Sequence, residues 1–127
     1  MIEADVAQRL SALRAITPFD RLEDAELALI ARQARPRTFP AGQVLIPAGA
    51  AAEALFVRLA GGALTAGHAA PAVFDAPGLL FGLAARAEYL AGPEGLTALM
   101  IAKPHVFTIA RECPEFVVGL RGLEAAP

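Results

Sequence analysis

Ala54-Leu55-Phe56-Val57-Arg58-Leu59-Ala60-Gly61-Gly62-Ala63-Leu64-Thr65 is the stretch on which the reading of this chain turns. Two extended apolar runs, Ala54–Leu59 and Ala63–Thr65, flank a pair of glycines, a pattern of strands and turns rather than of helix. The same texture continues on both sides. Glycines recur at Gly42, Gly49, Gly67, Gly78 and Gly82, with Pro40, Pro47, Pro71 and Pro77 between them. Further strands are predicted over Arg37–Phe39, Val44–Ile46, Ala72–Phe74, Glu88–Ala91 and Leu96–Ala102, with Gly92-Pro93-Glu94-Gly95 as a turn. Short strands this closely spaced over residues 36–102 predict a roll or barrel, whose closure removes exposed strand edges.

Helices are predicted on either side of the strands. Ile2, Val6, Leu10, Leu13 and Ile16 recur every three to four residues, the spacing of one helix face, and Thr17-Pro18 ends that helix. A second helix opens with Glu23, Asp24 and Glu26, where the helix dipole favours acids. It carries the stripe Leu22, Leu27, Ile30 and Ala34, and closes at Pro36 with Arg32, Arg35 and Arg37 at its C-terminal end. After the strands, Pro104 suits the first turn of a helix through Ala110, and Cys113-Pro114-Glu115 opens another. The expectation is one mainly β domain with flanking helices over 1–127: helices in 1–35, the roll in 36–102 and helices in 103–127.

Composition narrows the function classes. The chain has 127 residues, 56% of them apolar, 11 Lys+Arg against 13 Asp+Glu and a net charge of −2. Basic residues are scattered, so no footprint for a nucleic-acid backbone or an anionic membrane is expected. The first residues lack a signal-peptide core, and no apolar run approaches the ~18 residues of a membrane span. A single cysteine, Cys113, excludes an intramolecular disulfide. The expected setting is cytoplasmic.

Four stretches bring a family into view: Thr17-Pro18-Phe19-Asp20-Arg21-Leu22 with Glu26-Leu27, then Phe39-Pro40-Ala41-Gly42-Gln43-Val44-Leu45, then Ala54-Leu55-Phe56-Val57-Arg58-Leu59-Ala60-Gly61, and Gly78-Leu79-Leu80-Phe81-Gly82. Cys113-Pro114-Glu115-Phe116 is a fifth. In this order the chain resembles the cyclic-nucleotide-binding domain, the sensor module of catabolite-activator-type regulators and cyclic-nucleotide-dependent kinases. The resemblance implies a double-stranded β-helix, or jelly-roll, and the place of a regulatory or sensor module in a bacterial-type signalling protein. It also implies CBS or nucleotidyltransferase-like domains as neighbours in a longer parent chain, and a final helix that pairs across a two-fold axis.

The resemblance also implies a phosphate-binding cassette: a Phe-Gly pair, a Glu, a short helix, then an Arg leading into the next strand. Backbone N–H groups at the helix start and the guanidinium hold the cyclic phosphate, and the Glu accepts from the ribose hydroxyl. Here the run is Phe81-Gly82-Leu83-Ala84-Ala85-Arg86-Ala87-Glu88-Tyr89. Leu83 stands where the Glu is expected, too few residues follow for the helix, and Arg86 falls early. Each lost charge-assisted contact costs ~1.5–3 kcal/mol, and ~4 kcal/mol in all turns a micromolar site into a millimolar one. The expectation is a degenerate site around Phe81, Gly82, Leu83, Ala84, Arg86 and Tyr89 that does not hold cAMP or cGMP in the usual way, and no cofactor.

Two alternatives stay open. One is a sensor for another small anion, held by Arg86 and free backbone N–H groups near Gly82, which an apolar plug from Leu83 or Tyr89 would oppose. The other is a structural dimerisation domain using Phe116, Val117, Leu120 and Leu123, a stripe that equally suits packing onto the roll. His68, in a predicted hairpin loop, and His105, in a helix's first turn, lack the neighbours a metal site needs. Cys113 reads either as a helix-opening residue or as a thiol activated by a helix N-terminus. No nucleophile–base pair, P-loop or zinc spacing is present, so no enzyme is expected.

Overall fold

The second helix begins where its acids stand: Glu23 and Glu26 form a reciprocal capping box, each side chain meeting the other's backbone N–H. In this computed structural model, which describes residues 4–125 and their side-chain surroundings over 6–120, that helix is α2, Asp24–Gln33. Before it come α1, Ala4–Arg14, and a single 3₁₀ turn, Phe19–Arg21. Ile2 lies outside the described residues. Arg9 ties α1 to α2 through the Ala31 carbonyl at 3.2 Å, and Arg14 pairs with Asp24.

Of the three arginines expected to close α2, only Arg32 is in its last turn. The helix stops at Ala34, and Arg35 and Arg37 belong to strand β1, Arg35–Phe39. Arg35 still serves the helix end, donating to the Arg32 and Ala34 carbonyls at 2.6 and 2.9 Å. Pro36 is accommodated in β1 because that strand lies at the sheet's edge, where a missing donor is tolerated.

The strands that follow are β2, Val44–Ile46; β3, Ala54–Thr65; β4, His68–Ala69; β5, Val73–Phe74; and β6, Tyr89–Ala102. The sheet is antiparallel in the order β1-β6-β3-β4, with β2 on β6 and β5 on β3. Two expectations change. The glycine pair 61–62 and the segment 92–95 do not divide strands: β3 and β6 run through them as single long strands. The pairing shifts register there instead, between Arg58 and Ala60 and between Gly61 and Ala63, bending the pair as bulges do. A Cβ at Gly61 would run into the Gly95 carbonyl oxygen, so this crossing needs glycine. The sheet is also open: β1 and β4 remain its two ends, and short or curled edges replace closure.

Three helices complete the chain: α3, Ala76–Phe81; α4, Lys103–Glu112, with Pro104 in its first turn; and α5, Pro114–Ala125, which opens at its proline. Register defines the sheet's faces. Pro36, Leu99, Val57 and Val73 lie opposite one another on one face, and α1, α2 and α4 pack there. Leu55, Val57, Leu99 and Ile101 are fully buried in the core with Leu27, Ile30, Val106 and Ile109. Arg35, Met100, Phe56 and Phe74 lie in register on the other face, the interior of the roll.

Candidate functional site

The site expected after Gly82 is arranged differently from the sequence reading. Gly82 sits in the left-handed region, φ 66°, and caps the end of α3, Ala76–Phe81, so the short helix lies before Gly82 and not after it. Residues 83–88 form no helix. A strand passes into a short helix at Phe74-Asp75, where β5 ends and α3 begins. Asp75 takes the left-handed φ of 56° that normally favours glycine, and Ala76 is the first residue of the helix. Arg86 lies in the connection between α3 and β6.

Asp75 is therefore the residue that sequence reasoning missed. Its carboxylate lies against Gly78, where a Cβ would meet both carboxylate oxygens, and Oδ2 is buried without a hydrogen-bond partner. Burial pushes its pKa above the ordinary carboxylate value, and the Gly78 N–H only partly offsets that. The available signal was an aspartate directly after a predicted strand. Asp tolerates the left-handed region better than most residues, so it can replace a glycine without appearing as one.

The remaining expected residues divide. Phe81 and Leu83 are 59% and 54% exposed, and neither plugs the roll. Ala84 and Arg86 are exposed, and Arg86 has no ion pair or hydrogen bond among the described residues. The backbone N–H groups expected to be free are committed: those of Gly82 and Leu83 donate to the Gly78 carbonyl and that of Ala85 to Ala50. Tyr89 turns inward and stacks on Phe74 at 4.9 Å. Phe74 stacks on Phe56 at 5.0 Å, and Phe56 meets Phe39 at 6.1 Å. This run of rings fills the interior next to α3.

The other singled-out residues also have definite surroundings. His68 lies in β4, exposed and opposite Thr65, and His105 is exposed in the first turn of α4. Cys113 is buried, and burial first, then Glu26 and Glu112, push its thiol up to about 11, so it is not an activated nucleophile. Glu26 is held below its ordinary value by the Glu23 N–H and the Cys113 thiol. In α5, Phe116 and Leu120 are fully buried, Phe116 against Phe19 at 5.4 Å, while Val118 is 68% exposed. Leu123 belongs to α5, but its side-chain surroundings lie outside those described. Among the described residues, no group of three or more His, Cys, Asp or Glu could hold a metal ion, and no helix is long and apolar enough to cross a membrane.

No protein-family model matches the chain, and no curated protein matches it in sequence. Solved structures do match. The regulatory domain of Toxoplasma gondii PKA, crystallised with cAMP, superposes with a TM-score of 0.71 at 12% identity, over 87% of this chain and 49% of that one. PfPKA-R with cAMP bound gives 0.73 at 12% identity, over 96% and 48%. A cAMP-binding acyltransferase from Mycobacterium smegmatis gives 0.62 at 21% identity, over 87% and 37%. The chain thus spans half or less of each of these three proteins. What it shares with them is the fold: an antiparallel, jelly-roll-like sheet with flanking helices, the architecture of cyclic-nucleotide-binding domains.

Proposed function

We propose that this chain is a non-catalytic regulatory module of a larger cytoplasmic signalling protein, with a cyclic-nucleotide-binding fold whose cassette does not hold cAMP or cGMP in the usual way. The observation that carries this reading is Asp75. A carboxylate at the head of α3 occupies the ground where helix N–H groups would meet a cyclic phosphate, and like charges repel there. Two further features support it: Ala76 supplies no acceptor for a ribose hydroxyl, and the Phe56, Phe74 and Tyr89 stack fills the adjoining space. CBS or nucleotidyltransferase-like neighbours and a homodimer through α5 belong to the same proposal. Such a dimer would use the Val118 face, because Phe116 and Leu120 are spent on the chain's own core.

A sensor for another small anion at Arg86 has one observation in its favour, the exposed and unpaired guanidinium. The committed N–H groups around Gly82 weigh against it.

Calorimetric titration with cAMP and cGMP tests the main reading. The unmodified chain is expected to give no binding tighter than about millimolar. Asp75→Gly, which removes the carboxylate and suits the left-handed backbone, is expected to tighten any binding by about tenfold or more. A micromolar Kd for the unmodified chain overturns the proposal.

A further inference from the structure

The inner face of the sheet carries a second arrangement, away from α3 and Arg86. Arg35 lies in register with Met100 and Phe56, and Arg37 with Ala98 and Arg58, so a basic edge adjoins an apolar floor on one face. Two clefts meet there. One, of about 350 Å³, lies under the connection from β2 to β3 and is lined mainly by Leu45, Ile46, Ala50, Phe56 and Met100, with the exposed Glu53 as its one charged residue. The other, also about 350 Å³, is lined by Gln33, Arg35, Arg37 and His105. Ala54 and Met100 line both, so the apolar chamber opens beside the basic one across two side chains. Each volume lies within the ~300–1,000 Å³ range of small-ligand sites.

The basic groups are held for use. Arg37 is fixed over the Phe39 ring at 5.1 Å from its centroid, and Arg35 is steadied by the α2 carbonyls, which take one of its nitrogens and leave the others. Neither has an acidic partner among the described residues. Met100, an unbranched thioether, can swing to join the two chambers.

We infer that this double cleft binds an amphipathic anion, a medium-chain carboxylate whose apolar chain lies against Phe56, Leu45 and Ile46 and whose carboxylate meets Arg37, Arg35 and His105. Charge complementarity fixes the head group, and the apolar chamber beside it fixes the tail. The inference does not rest on Asp75, Ala76 or Arg86, and shares with the region beside α3 the Phe56 ring.

Calorimetry with hexanoate, octanoate and decanoate tests it. Affinity is expected to rise about fourfold for each added methylene until the chamber is full. The alcohol of equal chain length is expected to bind at least about tenfold more weakly, as is octanoate to Arg37→Gln. Ala54→Leu, which narrows the junction, is expected to abolish binding while the circular-dichroism melt keeps its cooperativity. It serves as the second variant if loss of Arg37 disturbs β1. Cyclic AMP is not expected to compete. The inference is overturned by no binding of any carboxylate up to millimolar concentration, or by equal affinity for acids and alcohols with no effect of Arg37→Gln, which is nonspecific partition.

Discussion

Asp75 shows how much one side chain can decide. A left-handed aspartate at the head of a short helix stores backbone strain of about 1 kcal/mol or more, and its carboxylate is held partly out of water. Because its folded-state pKa is raised above the ordinary value of 3.8, the native state holds this proton more tightly than the unfolded chain does. The stabilising contribution is fully present below 3.8 and is lost as pH rises through the folded pKa. Urea melts from pH 3.5 to 7 should therefore show the unmodified chain losing stability relative to Asp75→Asn as pH rises. Parallel curves for the two proteins would contradict the assignment. The same residue hides its own geometry: Phe81-Gly82 is a helix end marked by a glycine, whereas the left-handed backbone at Asp75 is not written in the residue name.

Among the elements, the hairpin between β3 and β4 is the plainest case of local chemistry at odds with local geometry. Ala66 and Gly67 both have positive φ, 52° and 79°, the double left-handed turn for which Asn-Gly is the favoured pair. Gly67 meets that demand and Ala66 does not. Ala66→Asn should stabilise the protein by about 1 kcal/mol and raise its thermal midpoint by a few degrees, measured by circular dichroism. An unchanged or lowered midpoint would show that the strain is relieved elsewhere. The long strands teach the complementary lesson. Glycine within an apolar run marks either a turn or a bulge, and at 61–62 and 92–95 only the pairing partner tells which. A continuing ladder on both sides makes them bends in β3 and β6.

Across the whole molecule, chain regions far apart in sequence close on one another at Gly119. A Cβ there would collide with the Pro18 ring, and Phe116, one turn earlier, packs on Phe19. Alanine usually strengthens a helix interior by about 1 kcal/mol over glycine, yet overpacking costs typically 1–3 kcal/mol. Gly119→Ala is therefore expected to lower stability by about 1–2 kcal/mol in a urea melt, against its helix propensity. A gain would mean that α5 and the Pro18 turn part easily. The sequence by itself determined the division into helices, strands and helices again, the capping acids of α2, the prolines in the first turns of α4 and α5, and the likeness to cyclic-nucleotide-binding domains. Those are local properties: period, caps and turn residues act within a few positions of themselves. Only the tertiary structure decided that β3 and β6 are single bent strands, that the sheet stays open and that a short helix begins after Asp75. It also placed Arg35 and Arg37 in β1, beside an apolar chamber, rather than within α2. Each of those depends on which partner a residue meets across the sheet, and pairing over tens of residues is set by burial of the whole core, not by neighbours in the chain.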